Sequence, residues 1–124
     1  MNVKRFFKSF RDASRGIAYV FRHEQNFRLQ LLFALVVSFL MFVFDLRTAE
    51  IIVILLLIFA VLILELLNSA LEKFADILKP RLHYHIEVVK DIMAAMVLVA
   101  SLGATAIGII IFWPHIVAVL LNGV

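Results

Sequence analysis

Cysteine is absent from the 124 residues, which excludes disulfides, thiolate zinc sites and thiol nucleophiles. Only two prolines and four glycines are present, too few for long irregular loops or a low-complexity linker. Charge is scarce as well, at 17% of the chain against about 25% in soluble domains. Hydrocarbon takes its place. Hydrophobic side chains make up 65% of the residues and mean hydropathy is +1.07, where soluble proteins hold roughly 45–50%. A domain this small leaves much of its surface in water and could not cover so much apolar area. Soluble enzymes, disordered chains and secreted disulfide scaffolds are thereby excluded. The composition is that of a single membrane domain over residues 1–124, and no nucleic-acid partner is expected.

Residues 29–44 are apolar except for Gln30 and Ser38, and with their flanks they reach the ~20 residues a span needs. Residues 51–64 are unbroken aliphatic and Phe side chains, and the helical register continues through Glu65 to Leu78. Residues 92–113 carry no charge and are followed by Pro114. An all-α membrane protein is expected. It has an amphipathic surface helix over 1–26, transmembrane helices over 27–46, 49–78 and 91–113, and an apolar tail over 114–124. The second of these would be ~45 Å long. The hydrocarbon core is only about 30 Å thick, so its last third should emerge into water.

Lys and Arg are distributed unevenly: seven in residues 1–28, one in 45–50, four in 73–90 and none after Trp113. An excess of these residues marks the cytoplasmic side. The alternation implies N-terminus in and C-terminus out, with nearly all the polar chemistry on the cytoplasmic face. In the N-terminal segment the charges interleave with aromatics, unlike a signal peptide. Counted from Val3 at about 100° per residue, Phe6, Phe7, Phe10, Ala13, Ile17, Val20 and Phe21 share one face. Lys4, Arg5, Lys8, Arg11, Arg15 and Arg22 occupy another. Such a helix suits the headgroup plane, Phe face down and basic face toward anionic lipid.

The stretch from Glu65 to Asp76 is the most informative. On a helix Glu65, Asn68, Ser69, Glu72 and Asp76 fall within an arc of about 100°, and Leu66, Leu67, Ala70, Leu71 and Phe74 fill the rest. Counted from Ala49, Glu65 lies ~24 Å into the membrane, near its inner boundary, and Glu72 lies at or beyond it. An intramembrane acid is a functional residue by default, while Asn68 and Ser69 serve equally well as interhelical hydrogen-bonding groups. Residues 65 and 72 are ~10 Å apart along the axis, too far to chelate one ion together. Glu65, partly desolvated at the depth of a lipid hydroxyl, suits a general base. Glu72, nearer water, suits a Mg²⁺ ion carrying phosphates. Basic residues that could hold those phosphates lie on the same side, in the N-terminal helix and at Arg81 and Lys90. The pattern fits phosphoryl transfer, without a P-loop or Gly-rich kinase loop. A non-enzymatic oligomeric scaffold or proton conduit is the competing reading. A conduit would spread its ionisable groups through the bilayer depth, and here they crowd one boundary.

The run Glu65-Leu66-Leu67-Asn68-Ser69-Ala70-Leu71-Glu72 with Asp76, His83 and Lys90-Asp91 resembles the signature of the small prokaryotic diacylglycerol kinase and undecaprenol kinase family. Ser9-Phe10-Arg11, Arg15-Gly16 and Glu24-Gln25-Asn26-Phe27-Arg28 are similar to its N-terminal half, in the undecaprenol-kinase style, and the likeness covers roughly residues 5–113. The resemblance implies ATP- and Mg²⁺-dependent phosphorylation of a membrane lipid alcohol, undecaprenol or diacylglycerol, at the cytoplasmic side of the bacterial inner membrane. It implies Glu65 as catalytic base and Glu24 and Glu72 as metal and nucleotide carboxylates. It implies ATP contacts at Arg5, Asp12, Arg81, Leu82, His83, Lys90 and Asp91. Asn68, Ser69, Asp76 and Ala94 are implied as site-supporting or lipid-contacting residues. Homotrimers with active sites shared between subunits are implied as well.

The sequence departs from the family's habit at several points. Arg81-Leu82-His83 stands where Glu-Tyr-His is usual, Asp12 where an aromatic is common, Lys73-Phe74 where a smaller apolar pair is usual, and Gln30 where an acid or His is frequent. Apart from the family, Lys90-Asp91 reads as a snorkelling cation and a helix N-terminal charge. His83 and His85 do not share a helical face and have no third ligand nearby. Ala100, Ala104 and Gly108 form a small-residue packing ridge, and Trp113 and His115 suit interfacial anchors at the outer face.

Overall fold

The computed structural model of the protein describes residues 2–123, with Leu82 by its backbone alone. Helix α1 runs Val3–His23, opened by the Asn2 side chain accepting from the Arg5 N–H. Glu24 has extended backbone angles and breaks the helix. Helix α2, Gln25–Val43, starts directly after it. A short turn follows, with Asp45 in the left-handed region at φ 51°, a conformation that Asp tolerates better than most residues. Glu50 then closes a capping box on Arg47 at the start of the next helix.

From Thr48 to Asn122 the backbone is helical without a break, yet it is not one rod. Asp76 pairs with Lys90, Lys79 with Glu87 and Glu50 with His115. In a straight helix Asp76 and Lys90 would stand ~21 Å apart. The three pairs share a midpoint at residues 82–83, so the axis doubles back there, just after Pro80. We label the two arms α3, Thr48–Arg81, and α4, His83–Asn122. Together with α2 they are three helices long and apolar enough to cross a membrane.

Two cross-contacted ends hold the hairpin in register. At the end that bears the α2–α3 turn, Met41, Leu46, Ile54 and Phe112 are buried together. There Phe44 meets Phe112 edge to face at 6.0 Å, and His115 Nε2 lies 3.0 Å from Glu50 Oε2. Val20, Phe27, Ala75, Ile86 and Met93 are also buried. Elsewhere the apolar side chains point outward, Phe42, Ile77, Leu120 and Leu121 among the most exposed. That is the expected surface of helices whose solvent is lipid or another subunit. Of α1, Val20 is the buried residue, and the Phe6, Phe7 and Phe10 rings are exposed.

Some boundaries differ from those read in the sequence. The break falls at Glu24, so the surface helix closes at His23 instead of 26 and the next opens at Gln25 instead of 27, ending at Val43 rather than 46. The second spanning helix runs to Arg81 instead of 78. The last begins at His83 rather than 91 and passes through Pro114 to Asn122, where an apolar tail was expected. A proline removes one N–H from the ladder but need not end a helix in apolar surroundings, where the remaining backbone groups have no water to turn to.

Candidate active site

The polar stripe of α3 forms as the periodicity requires, and burial falls along it. Glu65 is 1% exposed, the most buried large side chain described. Ser69, one turn on, is buried; Asn68 and Glu72 are half-buried; Asp76 is exposed. What covers Glu65 includes the first turns of α2, from which Gln30 Nε2 donates to Glu65 Oε2 at 3.1 Å. Asn68 turns toward a narrow cleft between α3 and α4 lined by Leu64, Leu67, Met93 and Met96. Three polar atoms here are buried without a hydrogen-bond partner among the described residues: Gln30 Oε1, Asn68 Oδ1 and Ser69 Oγ. Buried polar atoms are nearly always paired, so three orphans, on the partner of Glu65 and within about one helical turn of it on α3, single out this region.

Two more carboxylates are half-buried in the neighbouring turns: Glu24 at the α1–α2 break, about 9 Å along the axis from Gln30, and Glu72, about 10 Å along α3 from Glu65. Among the described residues no group of three His, Cys, Asp or Glu side chains could cage an ion. Two carboxylates nevertheless suit Mg²⁺, which takes one or two acids and completes its shell with water and substrate phosphates.

On the α4 side Lys90 binds the Asp76 carboxylate, with Glu72 and Glu87 within its electrostatic reach. Lys79 meets Glu87 at 3.5 Å. On the α1 side Lys73, next to Glu72 in sequence, places its Nζ 5.3 Å from the Tyr19 ring centroid. Tyr19 in turn stacks on His23 at 4.1 Å. These contacts tie the end of α1 and the foot of α4 to the stripe, and carry Glu24 and Lys90 with them.

The structure thus gathers Glu65, Asn68, Ser69, Glu72, Asp76, Glu24 and Lys90 into one region. It does not bring in Arg5 or Asp12. Both are exposed on α1, Asp12 within 3.8 Å of Arg15, and along a helix they stand ~28 Å and ~18 Å from Glu24. Arg81, His83, Asp91 and Ala94 are exposed and make no side-chain bond to the stripe among the described residues, and the side chain of Leu82 lies outside them. Two contacts had no sequence signal strong enough to find them. Gln30 stands out only as a lone amide in an apolar run, and the Lys90–Asp76 pair depends on the reversal at residues 82–83.

Residues 11–112 match the prokaryotic diacylglycerol kinase family. Undecaprenol kinase of Bacillus subtilis (strain 168) is 37% identical over 114 residues, covering 92% of this chain and 93% of that one. Diacylglycerol kinase of Synechocystis sp. (strain ATCC 27184 / PCC 6803 / Kazusa) is 30% identical over 113 residues, 90% of this chain and 65% of that one. No solved structure matches.

Proposed function

This chain belongs to the prokaryotic diacylglycerol kinase family and is a lipid kinase, and we propose that it transfers the γ-phosphate of ATP to a membrane lipid alcohol. The acceptor is undecaprenol or diacylglycerol and the product undecaprenyl phosphate or phosphatidic acid. One observation carries the site assignment: a fully buried Glu65, hydrogen-bonded to a neutral amide whose own oxygen is left without a partner.

Glu65 accepts the proton of the lipid hydroxyl as that oxygen attacks the γ-phosphorus, and the bond to the departing ADP oxygen breaks. Burial keeps water, the competing nucleophile, away from the reacting oxygen. Glu24 and Glu72 hold Mg²⁺, which when bound neutralises phosphate charge. Lys90, braced by Asp76, presents a cation to the phosphates, and Asp91, His83, Arg81 and Leu82 border the nucleotide. Asn68, Ser69 and Ala94 border the lipid. The lysine and arginine count supports N-terminus in and C-terminus out in a bacterial inner membrane, with this site on the cytoplasmic side. The basic and Phe-bearing faces of α1 suit the headgroup layer.

Arg5 and Asp12 enter this reading from another copy. Arg5 in particular lies ~28 Å from Glu24 along a straight α1, a long reach for one chain. That supports a homo-oligomer, a trimer by family resemblance, with sites shared between subunits. The test is phosphate transfer from labelled ATP by the detergent-purified protein, with undecaprenol and diacylglycerol offered at equal mole fraction. Label is expected in at least one lipid, and only with Mg²⁺ present. No label in either refutes the proposal.

A further inference from the structure

A carboxylate accepts hydrogen bonds and cannot donate them, so the 3.1 Å contact to Glu65 fixes which end of the Gln30 amide is which. Nε2 donates to Glu65 Oε2, and Oε1 is left over. That oxygen is buried and has no partner among the described residues. Gln30 binds one oxygen of Glu65 and not the other. The amide oxygen therefore sits buried one hydrogen bond away from the carboxylate, where no water repays it. An unpaired buried acceptor at a carboxylate favours a ligand group that donates. A hydroxyl does; an ester carbonyl does not.

We infer that Gln30 is a positioning residue of the acceptor site. Its N–H holds the Glu65 carboxylate in one orientation, and its free carbonyl oxygen receives the hydroxyl end of the lipid. The inference rests on the kinase reading above and adds a substrate-selecting element to it. The hydroxyl hydrogen meets Gln30 Oε1 on entry and passes to Glu65 as the new oxygen–phosphorus bond forms. Gln30 is neutral throughout and takes no proton. An ester group presented to the same pair meets only oxygens, so the lipid enters alcohol first. Nearby Ser69 can donate as well as accept, which leaves it free to serve the oxygen of the same hydroxyl.

The experiment is steady-state kinetics of the purified full chain, varying lipid alcohol and MgATP separately, for wild type, Gln30→Leu, Gln30→His and Glu65→Gln. Gln30→Leu removes both hydrogen-bonding ends while keeping bulk in an apolar helix. We expect kcat to fall about 10-fold or more and the lipid KM to rise, with the MgATP KM within about twofold of wild type. Gln30→His retains a ring N–H donor and an acceptor nitrogen, and should recover most of the loss. A residue that only packs α2 against α3 would not give this split, nor rescue by His over Leu. If Gln30→Leu fails to assemble, Gln30→Met asks the same question with a more adaptable side chain. Wild-type kcat and lipid KM in the Leu or Met variant overturn the inference, and an inactive Glu65→Gln beside them leaves the kinase reading standing. A wild type that phosphorylates no lipid alcohol overturns both.

Discussion

Replacing Glu65 with Gln separates chemistry from architecture at the most buried large side chain among the described residues. The substitution conserves length and shape but leaves no group able to take the hydroxyl proton. Positioned general bases contribute typically about 10²–10⁴-fold, so turnover should fall by that factor, roughly 3–5 kcal/mol of lost transition-state stabilisation. The fold should respond in the opposite sense. Gln30 already donates to residue 65 through Nε2, and its Oε1 has no partner. A Gln at 65 can accept the same bond and donate its own N–H to that orphan oxygen, giving a reciprocal amide pair. One added buried hydrogen bond is worth about 0.5–1.5 kcal/mol, and removing a charge from the apolar interior does not raise its cost. The expected result is an almost inactive protein whose thermal midpoint in detergent equals or exceeds that of wild type, with MgATP affinity unchanged. Kinetics and scanning fluorimetry on one preparation decide it. Near-wild-type turnover would refute Glu65 as the base. A clear loss of stability would refute the Gln30–Glu65 geometry from which the amide pair follows.

The stripe was legible in the sequence because helical periodicity fixes which residues share a face before any tertiary contact forms. The gradient from buried Glu65 to exposed Asp76 follows the same order. Gln30 as the partner of Glu65 was not legible, because the two are 35 residues apart and only the packing of α2 on α3 joins them. The same holds for the Glu50–His115 contact across 65 residues. His115 invites reading as a lone interfacial anchor, yet it meets an acid that also caps α3. The helix ends were misread for a local reason. Residues 83–90 mix His83, His85, Glu87 and Lys90 with apolar side chains and carry no breaker, so a span counted from the charge-free run opens later than the helix itself. Pro114 suggested an end where apolar surroundings keep the ladder intact.

Glu72→Gln should weaken the apparent affinity for Mg²⁺ and MgATP, with raised Mg²⁺ restoring part of the rate; rescue seen instead in Glu65→Gln would reverse the two roles. His115→Leu removes a half-buried contact at the opposite end of the hairpin, so the thermal midpoint should drop modestly while the Mg²⁺ dependence stays put. A shift in that dependence would contradict the separation of the two ends. A reporter fused after Val124 should face outside and one before Met1 the cytosol; both on one side would break the three-span reading. Sharing of the site between subunits can be read by mixing two inactive variants. Arg5 stands ~28 Å from Glu24 along α1, and the shared-site reading draws the arginine that reaches a nucleotide held at Glu24 and Glu72 from a neighbour. Arg5→Ala subunits keep an intact Glu65, and Glu65→Gln subunits keep an intact Arg5. Co-assembled at equal amounts in a cyclic oligomer with head-to-tail interfaces, about a quarter of the sites draw both intact halves. Activity should therefore return to about that fraction of wild type on mixing in detergent, although neither variant alone turns over. Mixed assemblies as inactive as their parents would mean that Arg5 acts within its own chain or not at all, and the shared-site reading would fall.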